Sequence, residues 1–145
     1  MATSSTQKIW ISPAPLAGKT CYKIEYSEFP GVVFVRFEDD KVSSVEFASR
    51  SEHSTSAEDL RRFPMMAIET LIRNGGHFVP NPNRPDLSKP SGRIDKDFLF
   101  SIRNFYLDAL TRNERPLKSI ADHLRVPHST VARWVLRARS EGILK

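Results

Sequence analysis

Residues 117–136, LKSIADHLRVPHSTVARWVL, decide how the rest of the chain is read. Their apolar residues form two groups at helical spacing: Leu117, Ile120, Ala121 and Leu124, then Val131, Trp134 and Val135, continued by Ala138. Pro116 suits the first turn of the first group, because a helix has no use for that N–H. Gly142 suits the end of the second, where a helix often closes with a left-handed residue. The spacing therefore predicts two short helices separated by residues 125–128.

Upstream, Phe98, Leu99, Ile102, Phe105, Tyr106, Ala109 and Leu110 repeat on one side of a 3.6-residue period. They predict a longer helix from an Asp95 N-cap to Arg112. Residues 95–145 thus read as one three-helix domain. Residues 77–94, HFVPNPNRPDLSKPSGRI, carry four prolines among Asn, Ser and Gly and read as a linker containing the domain boundary.

Residues 1–76 read differently. CYKIEY and GVVFVRFEDDKVSSVEFAS are β-rich, and Asp39 and Asp40 fall between two such runs where a hairpin would reverse. Alternation puts Val33, Val35 and Phe37 on one face and Val32, Phe34 and Arg36 on the other. TSAEDLRRFPMMAIETLIRNGG follows, with Thr55 and Glu58 in capping-box spacing and Gly75 and Gly76 at its end. Pro64 divides it, predicting helices over 57–62 and 64–73 with Leu60, Met66, Ile68, Leu71 and Ile72 closing over the sheet. The fold class expected is α+β: a small sheet covered by helices, a Pro-rich linker, and a three-helix domain.

Residues 117–136 resemble the helix-turn-helix motif of bacterial and phage DNA-binding regulators. The resemblance rests on the small Ala121 where two helices cross, Ile120 and Leu124 beneath it, Val126 in the turn, and Val131 and Trp134 packing the last helix. It departs from the motif twice: Arg125 stands where glycine is usual, and Pro127 where a capping Ser or Thr is usual. The segment SAEDLRRFPMMAIE is also similar to stretches of uncharacterised helix-turn-helix proteins, which brings no activity with it. The resemblance implies double-stranded DNA as partner, with the last helix reading the major groove.

With Val131, Trp134, Val135 and Ala138 turned inward, that helix offers His128, Ser129, Ala132, Arg133 and Arg137 on its other side. Arg133 is the first candidate for a base, because a guanidinium matches the O6 and N7 edge of guanine. Arg137 suits a base or a phosphate, Ser129 and Thr130 at the helix start can reach phosphates or base edges, and Thr130, His128 and Lys118 suit positioning on the phosphate backbone. A solvated basic face used for protein contacts is the bland alternative.

Charge distribution agrees with a nucleic-acid partner. Residues 1–76 hold nine Lys and Arg against ten Asp and Glu, whereas residues 77–145 hold thirteen against seven. Cys21 is the only cysteine, and the histidines lack metal spacing, so no cofactor or metal is expected. No stretch reads as a signal peptide or membrane span, and the expected compartment is the cytoplasm. The acidic residues of the first half show no catalytic constellation, so an enzyme of DNA rearrangement is disfavoured. The function expected is a sequence-specific transcriptional regulator, with residues 1–76 as a homodimer or protein-partner module. The alternatives are an interaction adaptor with non-specific DNA binding, or an accessory factor of phage or of DNA rearrangement.

Overall fold

The structure is a computed structural model and describes residues 8–14, 18–50, 52, 54–75 and 83–145. The chain divides into two compact units, Met1–Pro80 and Asn81–Lys145, a boundary inside the Pro-rich stretch. Among the described residues the architecture is α+β, with four antiparallel strands and five helices. None of these helices is long and apolar enough to cross a membrane.

The first unit begins with a meander of β1 (Ile9–Pro13), β2 (Cys21–Tyr26), β3 (Gly31–Glu38) and β4 (Lys41–Ser49), each strand pairing with its neighbour in sequence. β1 was not expected. IWISP is too short to declare itself by alternation, and it becomes a strand through pairing, with Ile9 opposite Tyr26 and Ile11 opposite Ile24. Pro13 is tolerated because β1 is an edge strand. The expected hairpin forms at Asp39 and Asp40, whose φ values of 50° and 58° are those of a type I′ turn. Short side chains that can bond locally make aspartate a tolerable residue there.

The buried face of the sheet carries Ile9, Ile11, Ile24, Val33, Val35 and Phe37, as alternation requires, while Val32, Phe34 and Arg36 are half-buried on the other. After the sheet come α1 (Ala57–Arg62), which buries no residue, and α2 (Met65–Arg73), which with Phe63 supplies the buried apolar side chains of this segment. The capping box sits one residue later than expected. Ser56 Oγ accepts from the Asp59 amide at 3.1 Å and the Asp59 carboxylate accepts from the Ser56 amide at 2.8 Å, in place of Thr55 and Glu58. The Ser56 hydroxyl, which also donates to the Asp59 carboxylate at 2.7 Å, and the Ser56 amide hold the Asp59 carboxyl below its ordinary pKa.

The covering residues also differ in part. Ile68, Leu71 and Ile72 are buried, but Leu60 is 43% exposed and Met66 84% exposed. In α2 the buried Ile68, Leu71 and Ile72 share one side of the helix and Met66 falls on the opposite side, while α1 buries no residue at all. Phe63, at the junction, takes the central place instead. Its ring lies 6.1 Å from Tyr26, 5.6 Å from Phe29 and 5.4 Å from Phe47, each at an edge-on angle that aromatic quadrupoles favour. Asn74 caps α2, with Gly75 after it; Gly76 and residues 77–82 of the expected linker lie outside the described residues.

The second unit packs α3 (Lys96–Thr111), α4 (Pro116–Leu124) and α5 (His128–Ser140) pairwise on one another. Asp95 accepts from the Phe98 amide at 2.8 Å and starts α3. The core is Leu99, Ile102, Phe105, Ala109, Ile120, Leu124, Val131, Val135, Ala138 and Leu144. Part of the expected linker belongs to this unit. Leu87 is buried, its carbonyl accepts a hydrogen bond from His123 Nε2 at 2.9 Å, and Arg84 lies 5.1 Å over the Phe105 ring while pairing with Glu114. A Pro-rich segment gives no periodic signal of its own, so a single buried leucine in it is invisible without its partners.

Candidate nucleic-acid interface

The placement of α5 depends on how α4 ends. Arg125 takes φ 53° and ψ 51°, the left-handed conformation, and its amide and that of Val126 both bond back to the Ala121 carbonyl. This is the wrapped helix ending that glycine normally serves. The chain accepts arginine there because the residue is exposed and its side chain can point to water. The strain costs roughly 1–2 kcal/mol for an L-residue. Replacing Arg125 with glycine is therefore expected to stabilise the second unit by about 0.5–1 kcal/mol, after the greater unfolded-state entropy of glycine is subtracted. Thermal unfolding followed by Trp134 fluorescence checks this, and a fall in melting temperature would contradict it.

Val126 and Pro127 then reverse the chain into α5. Pro127 supplies backbone carbonyl bonds to Thr130 at 3.0 Å and Val131 at 3.4 Å, but no side chain caps the helix. Ser129, the nearest hydroxyl in the first turn, does not cap it either. The His128 and Ser129 amides thus remain available to water or an anion, and no acidic side chain stands in the first turn.

Along α5, Val131, Val135 and Ala138 are buried, fixing the inward side. Trp134, expected among them, is only half-buried and packs edge-on against Phe98 at 5.0 Å. His128, Ser129, Arg133 and Arg137 are exposed on the helix, and Thr130 and Ala132 are half-buried. Five of the six expected contact residues are therefore carried by one helix. Lys118 lies apart on α4, exposed and paired with Asp122 at 2.5 Å. An exposed pair of this kind is worth at most about 1 kcal/mol, so a phosphate can displace the aspartate.

The cations of α5 differ in their partners. Arg137 Nε donates to Glu141 at 2.8 Å, and Arg139 reaches the Tyr106 hydroxyl at 3.3 Å. Arg133 is exposed and makes no ion pair or hydrogen bond among the described residues. Arg137 and Glu141 also line an open groove of about 640 Å³ with Arg93, Ile94, Asp95 and Lys96. Arg93 and Lys96 were not singled out from the sequence, since nothing in their local pattern tells that the start of α3 lies beside α5.

Helix α5 itself contains three arginines and no acidic residue over His128–Ser140. Its exposed arc is centred near Arg133, so the positive charge is directed outward, and within the arc only Arg137 is engaged in an i,i+4 pair, with Glu141 at the helix end. No protein-family model, curated protein or solved structure matches this chain.

Proposed function

We propose that the chain is a sequence-specific double-stranded DNA-binding protein of the bacterial and phage regulator type, with α4 and α5 acting as a helix-turn-helix. The observation that carries the reading is α5: an exposed, acid-free helix face with an unpartnered Arg133 at its centre, held by a tight left-handed turn on a three-helix core. In this reading α5 enters the major groove and Arg133 forks onto guanine. Arg137 takes a base or a phosphate, and Ser129, Thr130, His128 and Lys118 hold the backbone in register. The first unit, with net charge near zero and edge strands β1 and β4, serves as the homodimer or protein-partner module, and the site of action is cytoplasmic DNA.

Selection of the full chain against a random duplex library, followed by titration of the enriched site and a scrambled control at two salt concentrations, tests the reading. The enriched site should bind at least 1000-fold more tightly than the control at physiological salt, as is typical of specific recognition. Arg133→Ala is expected to erase preference at one base pair, a loss of about 1–3 kcal/mol in discrimination. Lys118→Ala should instead weaken every sequence alike and lower the salt slope by about one. Equal binding of site and control, vanishing with salt, would leave only counterion release and defeat the proposal.

A further inference from the structure

The exposed face of α5 contains one residue that no polar role explains. Leu136 is 68% exposed, whereas Val131, Val135 and Ala138 on the same helix are buried. At about 100° per residue, Leu136 lies roughly 60° to one side of Arg133, and Arg137 lies roughly 40° to the other. The leucine thus sits within the cationic arc, flanked along the helix by Arg133 one turn before it and Arg137 next to it.

Resting on the DNA-binding reading of α5, we infer that Leu136 is a specificity residue that packs on the 5-methyl group of a thymine in the major groove. The occupant must offer a small apolar knob set among negative or acceptor groups. A thymine methyl, bordered by guanine acceptors and phosphates, has that chemistry. One leucine is far too small a patch for a stable protein interface, which buries about 1,000 Å² or more, but it matches the size of a single base contact. Arg133 and Leu136 are separated by about 4.5 Å along the helix axis, close to the rise between base pairs of about 3.4 Å. The guanine read by Arg133 and the thymine read by Leu136 are therefore expected one or two steps apart.

The test uses the full chain and its selected duplex. Each thymine is replaced in turn by deoxyuridine, which removes the methyl and leaves every hydrogen-bonding group. At one thymine, near the Arg133 guanine, the replacement should weaken binding about fourfold, the worth of burying one methyl-sized group. Leu136→Ala should abolish that deoxyuridine effect while keeping the preference for the Arg133 guanine. Because Leu136 is exposed, the variant keeps its core, and its melting curve verifies this. The inference is overturned if every deoxyuridine duplex binds like the parent, if the selected site has no thymine near that guanine, or if Leu136→Ala still responds to the missing methyl. It is equally overturned if Leu136→Ala changes the mass of the free protein in light scattering, which would make the leucine a protein contact. A selection that enriches no site at all defeats the DNA-binding reading itself; an enriched site without a methyl effect defeats only the role of Leu136.

Discussion

Asp108→Ala is expected to destabilise the second unit by about 3–5 kcal/mol, enough to unfold a domain of this size under mild conditions. Asp108 and Arg112 stand one turn apart on and just after α3, with Arg112 Nε donating to one carboxylate oxygen at 2.8 Å and Nη2 to the other at 3.2 Å. Their side chains are 9% and 3% exposed, so this is a buried bidentate pair. Truncating the aspartate strips this carboxylate from a guanidinium that remains away from water, and desolvation of that charge dominates the loss. The double change Asp108→Leu with Arg112→Met should recover most of the stability, since an apolar pair of similar volume removes the charge that needs a partner. Urea unfolding of both variants in a Trp10→Phe background reads the second unit through Trp134 alone, as the chain has two tryptophans, one in each unit. A loss below about 1 kcal/mol for Asp108→Ala would show that the pair is in effect solvated.

Gly31→Ala should have a comparably large effect on the first unit, about 3 kcal/mol, at the upper end of the range for overpacking. A Cβ at position 31 would lie 2.3 Å from the Ala48 carbonyl oxygen and 3.0 Å from Ser49 Cα. Both are backbone atoms of β4, directly across the ladder, where Gly31 pairs with Ser49. No rotamer change can relieve the clash, so β3 and β4 must part at this end. That end holds Phe47, which packs on Phe29 at 5.6 Å and on Phe63 at 5.4 Å, and the opening would loosen the aromatic cluster as well. Unfolding read by Trp10 in a Trp134→Phe background, with hydrogen exchange of the β4 amides, measures both consequences. Unchanged stability with unchanged exchange would mean that the two strands yield at this point without cost.

Much of the framework was legible before any coordinates. The stripe from Phe98 to Leu110, Pro116 at a first turn and Gly142 beyond the last helix place α3, α4 and α5 to within a residue or two. Periodicity works here because each helix is amphipathic and long enough to repeat its pattern. The hairpin at Asp39 and Asp40 was equally plain, because two β-rich runs flank residues able to take positive φ. Local chemistry failed where two solutions lay side by side. Thr55 with Glu58 and Ser56 with Asp59 both have capping spacing, and the choice between them is made by where α1 begins.

The candidate site divides in the same way. That the last helix would show arginines outward follows from its pattern, and so does the identity of Arg133 at the centre of the exposed arc. Which cations are free does not follow, because Lys118, Arg137 and Arg139 find Asp122, Glu141 and Tyr106 only once rotamers and neighbours are set. Leu136 escaped notice for a related reason. The period that turns Val131, Val135 and Ala138 inward already places Leu136 outward, but a leucine carries no charge or hydrogen-bonding group to mark it as a contact, and its 68% exposure is visible only in the fold.

By itself the sequence determined the helices of the second unit, the central hairpin of the first, the division between a neutral half and a basic half, and the outward arginines of α5. These rest on interactions between residues near in sequence and on the period of apolar residues. The tertiary structure alone decided that residues 9–13 form a strand, that Phe63 and not Met66 completes the first core, that Leu87 joins the second, and that Asp108 and Arg112 are buried together. Each of these depends on a partner distant in sequence or on surrounding elements that exclude water, and no local pattern records that contact.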